Sequence, residues 1–247
     1  MRFMAIWVFL MIFSCTLTGG SGLERANQAY EQENYALALS LYQKSAKSGD
    51  AAAWYMLGRM HILGHGVQKD YKKAIEYYKK AAAKQDMKAQ YDLGVLYERG
   101  MGVDKNLEQA KKWYGLAAGQ NSADAQFALG LLWYKGDLGK KQIQKAIKLF
   151  ELAANQGDFR AQSMLGNIYS NGDDVKVNKS LAKKWFLLAA KQDEPFSQFN
   201  LALILLEEGK KAEAKKWLQK AAKAGVAEAK SESVSYTHLR AHETRPY

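Results

Sequence analysis

Cysteine is nearly absent from this chain of 247 residues: Cys15 stands alone. A single thiol excludes an intrachain disulfide, so packing has to hold the fold together. Proline is almost as scarce, with two residues, while alanine, lysine, leucine and glutamine are abundant; helices can therefore run uninterrupted. The uncharged apolar run from Phe3 to Phe13 is short for a bilayer span. No HExxH metal-protease pattern joins His61 and His65, and no Ser-Asp-Asn or Lys-Thr-Gly triplet follows Ser180. Disulfide scaffolds and HExxH metal proteases are set aside on these grounds.

What the chain has instead is a repeat. The pair Leu57-Gly58 recurs every 36 residues as Leu93-Gly94, Leu129-Gly130 and Leu165-Gly166, and weakens to Leu201-Ala202. Ala81-Ala82 recurs as Ala117-Ala118, Ala153-Ala154, Ala189-Ala190 and Ala221-Ala222. A period of this length is the mark of a stacked array, whose core grows with each unit added.

Each unit reads as two helices. The first opens after Asp50, Asp86, Ser122, Asp158 or Glu194; the first four are residues whose side chains accept from free backbone N–H groups. Pro195 follows Glu194, where a missing N–H costs nothing. The helix closes at Gly64, Gly100, Gly136 or Gly172. The second helix opens after Asp70, Asn106, Gln142 or Asn178, of which only the glutamine is a poor cap. It carries Ala74, Ala110, Ala146, Ala182 and Ala214, followed by large pairs such as Tyr77-Tyr78, Trp113-Tyr114 and Trp185-Phe186. Small residues admit a close neighbour and large ones fill the space beside it. The step from Trp185 to Trp217 is 32, so the loop of the last unit is shorter, as is that of the first.

The segment LGVLYERGMGVDKNLEQAKKWYGLAAGQ resembles a Sel1-like repeat, the longer-loop relative of the tetratricopeptide repeat. Leu93, Gly94, Tyr97, Gly100, Gly102, Ala110, Trp113, Tyr114, Ala117 and Ala118 carry the likeness. The resemblance implies an all-α fold, an α-solenoid of antiparallel helix pairs stacked as a right-handed superhelix. It also implies an adaptor that binds a protein or peptide partner, with no enzyme activity and no cofactor. The expected organisation is a leader over residues 1–22 and a solenoid over 23–230. Its units cover about 23–49, 50–85, 86–121, 122–157, 158–192 and 193–225, with another starting at 226.

The termini read differently. Arg2 followed by the Phe3 to Phe13 run and then small polar residues suits an export signal. Ile12-Phe13-Ser14-Cys15 resembles a bacterial lipobox, which makes Cys15 a candidate lipidation site; cleavage near Thr18-Gly19-Gly20 is the alternative. The protein is expected to be exported, either periplasmic or tethered to a membrane through Cys15 or its N-terminal segment, or else secreted. Val234 to Thr244 resembles one reading frame of a sequencing-library adapter, so 234–247 is read as a non-native tail.

Three motifs invite chemistry. Ser180-Leu181-Ala182-Lys183 matches the Ser-x-x-Lys nucleophile motif of penicillin-recognising enzymes, yet its companions are missing and the motif lies at the start of a second helix. A β-lactamase-like envelope hydrolase is thus a secondary reading. His61 takes the slot held by Tyr97, Trp133 and Tyr169, a core position, and His65 lies in a loop. The formal charge is +11, with Lys112, Lys148, Lys184 and Lys216 sharing one slot that faces solvent. These lysines either keep the array soluble or meet an anionic surface; nucleic acid is not expected.

The binding candidates fall on the first helices, which by analogy line a concave groove. Tyr55, Tyr91, Phe127 and Phe199 precede each Leu-Gly or Leu-Ala pair by two positions, with Ser163 in the same slot. Arg59, Val95, Leu131 and Asn167 follow four residues later. These slots vary more than the Leu-Gly and Ala-Ala slots. An aromatic stripe would suit an extended peptide or a partner helix; the alternative is that the rings pack between adjacent first helices. The functional expectation is a protein-interaction scaffold of the bacterial envelope, with a secreted effector engaging host proteins as a further reading.

Overall fold

The computed structural model describes residues 21–232. The expected leader, Cys15 and the 234–247 tail lie outside these residues. Twelve α-helices follow one another, with no strand among the described residues. They are α1 (Gly22–Glu31), α2 (Tyr35–Lys47), α3 (Ala51–Leu63), α4 (Tyr71–Ala83), α5 (Met87–Arg99), α6 (Leu107–Gly119), α7 (Ala123–Lys135), α8 (Ile143–Asn155), α9 (Phe159–Asn171), α10 (Lys179–Ala190), α11 (Pro195–Glu207) and α12 (Lys211–Lys223). Residues 227–232 are helical as well. The chain divides between Ala117 and Ala118, inside α6, into two compact units.

Backbone chemistry sets the helix ends. Asp50, Asp86, Ser122 and Asp158 each accept a bond from the N–H three residues on. Glu194, a longer and less usual cap, does the same for Phe196 and Ser197. Among the second helices Asp70, Asn106 and Asn178 cap, while Gln142 makes no such bond. Gly64, Gly100, Gly136 and Gly172 close the long-loop first helices in the left-handed conformation, at φ between 68° and 77°. In the first hairpin that glycine is missing, in the last, Gly209 takes the left-handed conformation one position later, and the connections shorten to residues 32–34 and 208–210. Ser21 caps α1, so helix begins at Gly22, a residue before the expected start at 23.

In the amino-terminal unit α1 packs on α2, α2 on α3, α3 on α4 and α4 on α5. The carboxy-terminal unit repeats this order from α7 to α12. The interior of each hairpin turns on one contact. A Cβ added to Gly130 would come within 2.6 Å of the Phe150 ring, which is fully buried. Gly58, Gly94 and Gly166 stand in the same relation to Tyr78, Tyr114 and Phe186. The glycine of each Leu-Gly pair is thus the seat for the second aromatic of its own hairpin. In the last hairpin the seat is Ala202, and the residue in the ring's slot is Leu218, both completely buried.

A second repeating contact is polar. Gln90, Gln126, Gln162 and Gln198 are all buried, and each donates its side-chain amide to a carbonyl at the end of the preceding second helix: Ala82, Ala118, Ala154 and Ala190. Each of these carbonyls also accepts a backbone N–H from the turn that follows, from Gln85, Asn121, Gly157 and Asp193, so the glutamine is a further donor to the helix end. Gln156 and Gln192 then donate to the side-chain oxygens of Gln126 (2.7 Å) and Gln162 (2.9 Å), extending the ladder inside the carboxy-terminal unit.

The glycine seats allow a matched pair of substitutions. Gly94→Ala is expected to lower stability by about 1–3 kcal/mol through overpacking against Tyr114. Gly115→Ala, on the next helix with open space around it, should raise stability by roughly 0.5–1 kcal/mol. Urea denaturation of the two variants checks this; equal effects would contradict the seating role.

Candidate peptide-binding surface

The eight side chains marked by the first-helix pattern are all half-buried. Three of the four rings among them meet a ring of their own hairpin. Tyr55 lies on Tyr78, Tyr91 on Tyr114 and Phe127 on Phe150, with centroids 5.6–5.7 Å apart, so each rests on the second helix of its own hairpin. One side of each of these three rings is thereby committed to structure.

In the amino-terminal unit α3 and α5 bring two of the marked residues together. Arg59 and Val95 line a cleft of about 180 Å³. Ile62, Leu63, Leu96 and Met101 supply the rest of its apolar wall, and Tyr78 and Asp92 its polar floor. Arg59 follows Tyr55 by one helical turn, which sets its guanidinium over that ring at 5.9 Å from the centroid. No salt bridge holds Arg59 among the described residues; its charge reaches Asp92 at longer range.

Asp92 was not singled out by sequence, since its slot is filled by Met56, Ala128, Met164 and Asn200 elsewhere and so carries no period. Burial is the largest influence on its carboxyl and pushes the pKa up; hydrogen bonds from the Tyr78 and Tyr55 hydroxyls and the Arg59 charge pull it back. The cleft therefore offers a cation, an acceptor oxygen and an apolar hollow side by side. A peptide group supplies the complements of the first two, C=O for Arg59 and N–H for Asp92, and an aliphatic side chain fits the third.

The carboxy-terminal unit holds its marked residues more tightly. Arg160 sits 4.8 Å from the Phe127 ring centroid and is itself fixed by Asp158 and by Asp124 at 2.6 Å. Leu131 packs on the core formed by α8 and α9, and Phe199 on the core around α11 and α12. Asn167 accepts a bond from Asn200 at 3.4 Å. The Arg160 charge is neutralised there and its guanidinium lies on Phe127, so this unit presents a weaker site than the Arg59 cleft.

The other motifs resolve into packing. His61 is buried and stacks on Tyr77 at 5.7 Å. Burial, with Lys73 nearby, holds its pKa below the usual histidine value. His65 stacks on Tyr35 at 4.3 Å, and its Nδ1 shares a 2.9 Å hydrogen bond with the Tyr30 hydroxyl. Ser180 is exposed on the first turn of α10, and Lys183 is paired with Glu208.

Six segments, 20–50, 51–86, 88–122, 123–158, 159–194 and 195–226, match the Sel1 repeat. The chain belongs to the Sel1 repeat family. A Sel1 repeat protein from Oxalobacter formigenes has a crystal structure similar to this one, with a TM-score of 0.76 at 32% identity over 85% of this chain and 87% of that one. The structure of c5321, a protective antigen present in uropathogenic Escherichia coli strains and displaying an SLR fold, gives a TM-score of 0.78 at 28% identity. That match covers 86% of this Sel1 repeat protein and 47% of c5321, about half its length. A putative Sel1 repeat protein from Klebsiella pneumoniae is alike in fold alone, at 23% identity and a TM-score of 0.50. No curated protein sequence matches the chain. Sel1 repeat proteins are generally scaffolds that bind protein partners, and the fold class here is the α-solenoid of that family.

Asp92 gives this Sel1 repeat protein a testable pH signature. A carboxyl with a raised native pKa contributes stability that is complete below its ordinary value and is lost as pH rises through the raised value. Asp92→Asn keeps an acceptor for the tyrosines and removes the charge. The variant is expected to melt higher than the parent at neutral pH and equally at pH below the ordinary carboxyl range. Thermal unfolding across pH reads this out; a constant difference would show that ionisation of Asp92 is irrelevant.

Proposed function

We propose that this protein is a non-catalytic interaction scaffold of the bacterial cell envelope that receives an extended peptide on its first-helix face. The observation that carries the reading is the α3–α5 cleft, where an unpaired guanidinium, a half-buried carboxyl and an apolar hollow stand together. Arg59 donates to a peptide carbonyl, Asp92 accepts from a peptide N–H, and the hollow between Leu63, Val95 and Met101 takes one aliphatic side chain. Helices on both sides hold these groups in place before binding, so little ordering entropy is lost. Tyr91, one residue before Asp92, and Phe127, Leu131, Asn167 and Phe199 in the other unit are secondary contacts in this reading.

Export is part of the proposal. It rests on Arg2, the Phe3 to Phe13 run and the lipobox-like Ile12 to Cys15, with Cys15 as the acylated residue. The likeness to a protein described as a protective antigen supports an exposed location. Periplasmic residence with a lipid tether through Cys15 is the location this reading favours, with secretion as its alternative.

Peptides selected from a random display library on the purified protein test the cleft. Arg59→Ala is expected to weaken the selected peptides tenfold or more, about 1.4 kcal/mol, with unchanged far-ultraviolet dichroism. Unaltered affinity would remove the cleft from the account.

A further inference from the structure

We propose that the outer face of the second helices in the carboxy-terminal unit docks on an anionic lipid surface. This surface is separate from the Arg59 cleft, which lies in the other unit. Lys148, Lys184 and Lys216 occupy one slot of α8, α10 and α12, and all three are exposed. None enters an ion pair among the described residues; Glu207 pairs with Lys179, and Glu208 with Lys183 and Lys210. One turn further on stand Leu152, 50% exposed, Leu188, 36% exposed, and Lys220.

An ammonium and a leucine one turn apart on two successive second helices form an amphipathic pattern that water alone does not reward. A wholly aqueous acidic partner would engage the lysines and leave the leucines wet. A lipid interface satisfies both, since ammonium groups stay among anionic headgroups while leucine tips enter the acyl boundary. Trp185 and Trp217 lie beneath Lys184 and Lys220, at 4.8 and 5.1 Å from ring centroid to Nζ. Trp185 holds the Lys184 head over the helix surface, while Lys220 is also drawn to Asp193 at 3.7 Å. The acids on these helices are few: Glu151, half-buried on α8, and Glu213, exposed at the start of α12.

Co-sedimentation of the full chain with vesicles tests the proposal. One set is pure phosphatidylcholine; in the other, phosphatidylglycerol replaces part of it. The apolar run near the N-terminus acts on both sets, so the difference between them is the quantity read. The chain is expected to favour the anionic set, with the preference falling as salt rises. Lys148→Glu, Lys184→Glu and Lys216→Glu together should reduce it about tenfold or more, while the three corresponding Lys→Arg changes retain it. Leu152→Ser with Leu188→Ser should weaken binding and leave the salt dependence. Equal binding to both sets, or full binding by the triple glutamate variant, would overturn the proposal. So would an unchanged leucine variant together with efficient competition by duplex DNA or polyglutamate, which would indicate an acidic polymer instead of a membrane.

Discussion

A ring seated on a glycine is the contact on which each hairpin depends. Phe150 can lie fully buried only because residue 130 has no side chain, and the same holds for Tyr78, Tyr114 and Phe186 over Gly58, Gly94 and Gly166. Burying such a ring is worth roughly 1.5–3 kcal/mol, and close packing makes the seat intolerant of added volume. The ring also determines what the first helix can show outside. Tyr55, Tyr91 and Phe127 rest on the seated rings, so the outer surface inherits its geometry from the core contact beneath it.

Helix ends were readable from the 36-residue period because each rests on a local rule. Asp86 caps because a short carboxylate reaches backed-up N–H groups, and Gly100 closes the helix because it reaches the left-handed region without strain. The lysine slot was readable too: Lys112, Lys148, Lys184 and Lys216 are exposed as their spacing requires. The glutamine ladder was missed although Gln90, Gln126, Gln162 and Gln198 share the period. A polar side chain reads as solvent-facing unless its acceptor is known, and here the acceptors are carbonyls of the previous hairpin. Which ring the Tyr55 slot would meet was also beyond the sequence, since both helices of a hairpin carry aromatics.

Asp92 marks the limit of periodic reasoning. Repetition reveals what every unit needs, and a residue used once leaves no echo. Arg59 and Asp92 each stand in slots filled by other residue types elsewhere, and together they give one cleft a charge pattern the other hairpins lack. The carboxy-terminal unit shows the contrast: Arg160 is drawn to Asp124 and Asp158 and covers Phe127. Fold is written in the slots that recur along this chain, and the proposed recognition site lies where two of them depart from the pattern.

Nature has already varied the central contact once, in the hairpin where Ala202 replaces glycine and Leu218 replaces the ring. A double-mutant cycle transplanting that pair tests the account most directly. Gly130→Ala and Phe150→Leu should each destabilise the protein, the first by crowding and the second by leaving space. The double variant is expected to lose less than the sum of the two, by about 0.5–3 kcal/mol of coupling. Strictly additive losses in equilibrium unfolding would mean that ring and glycine do not depend on each other.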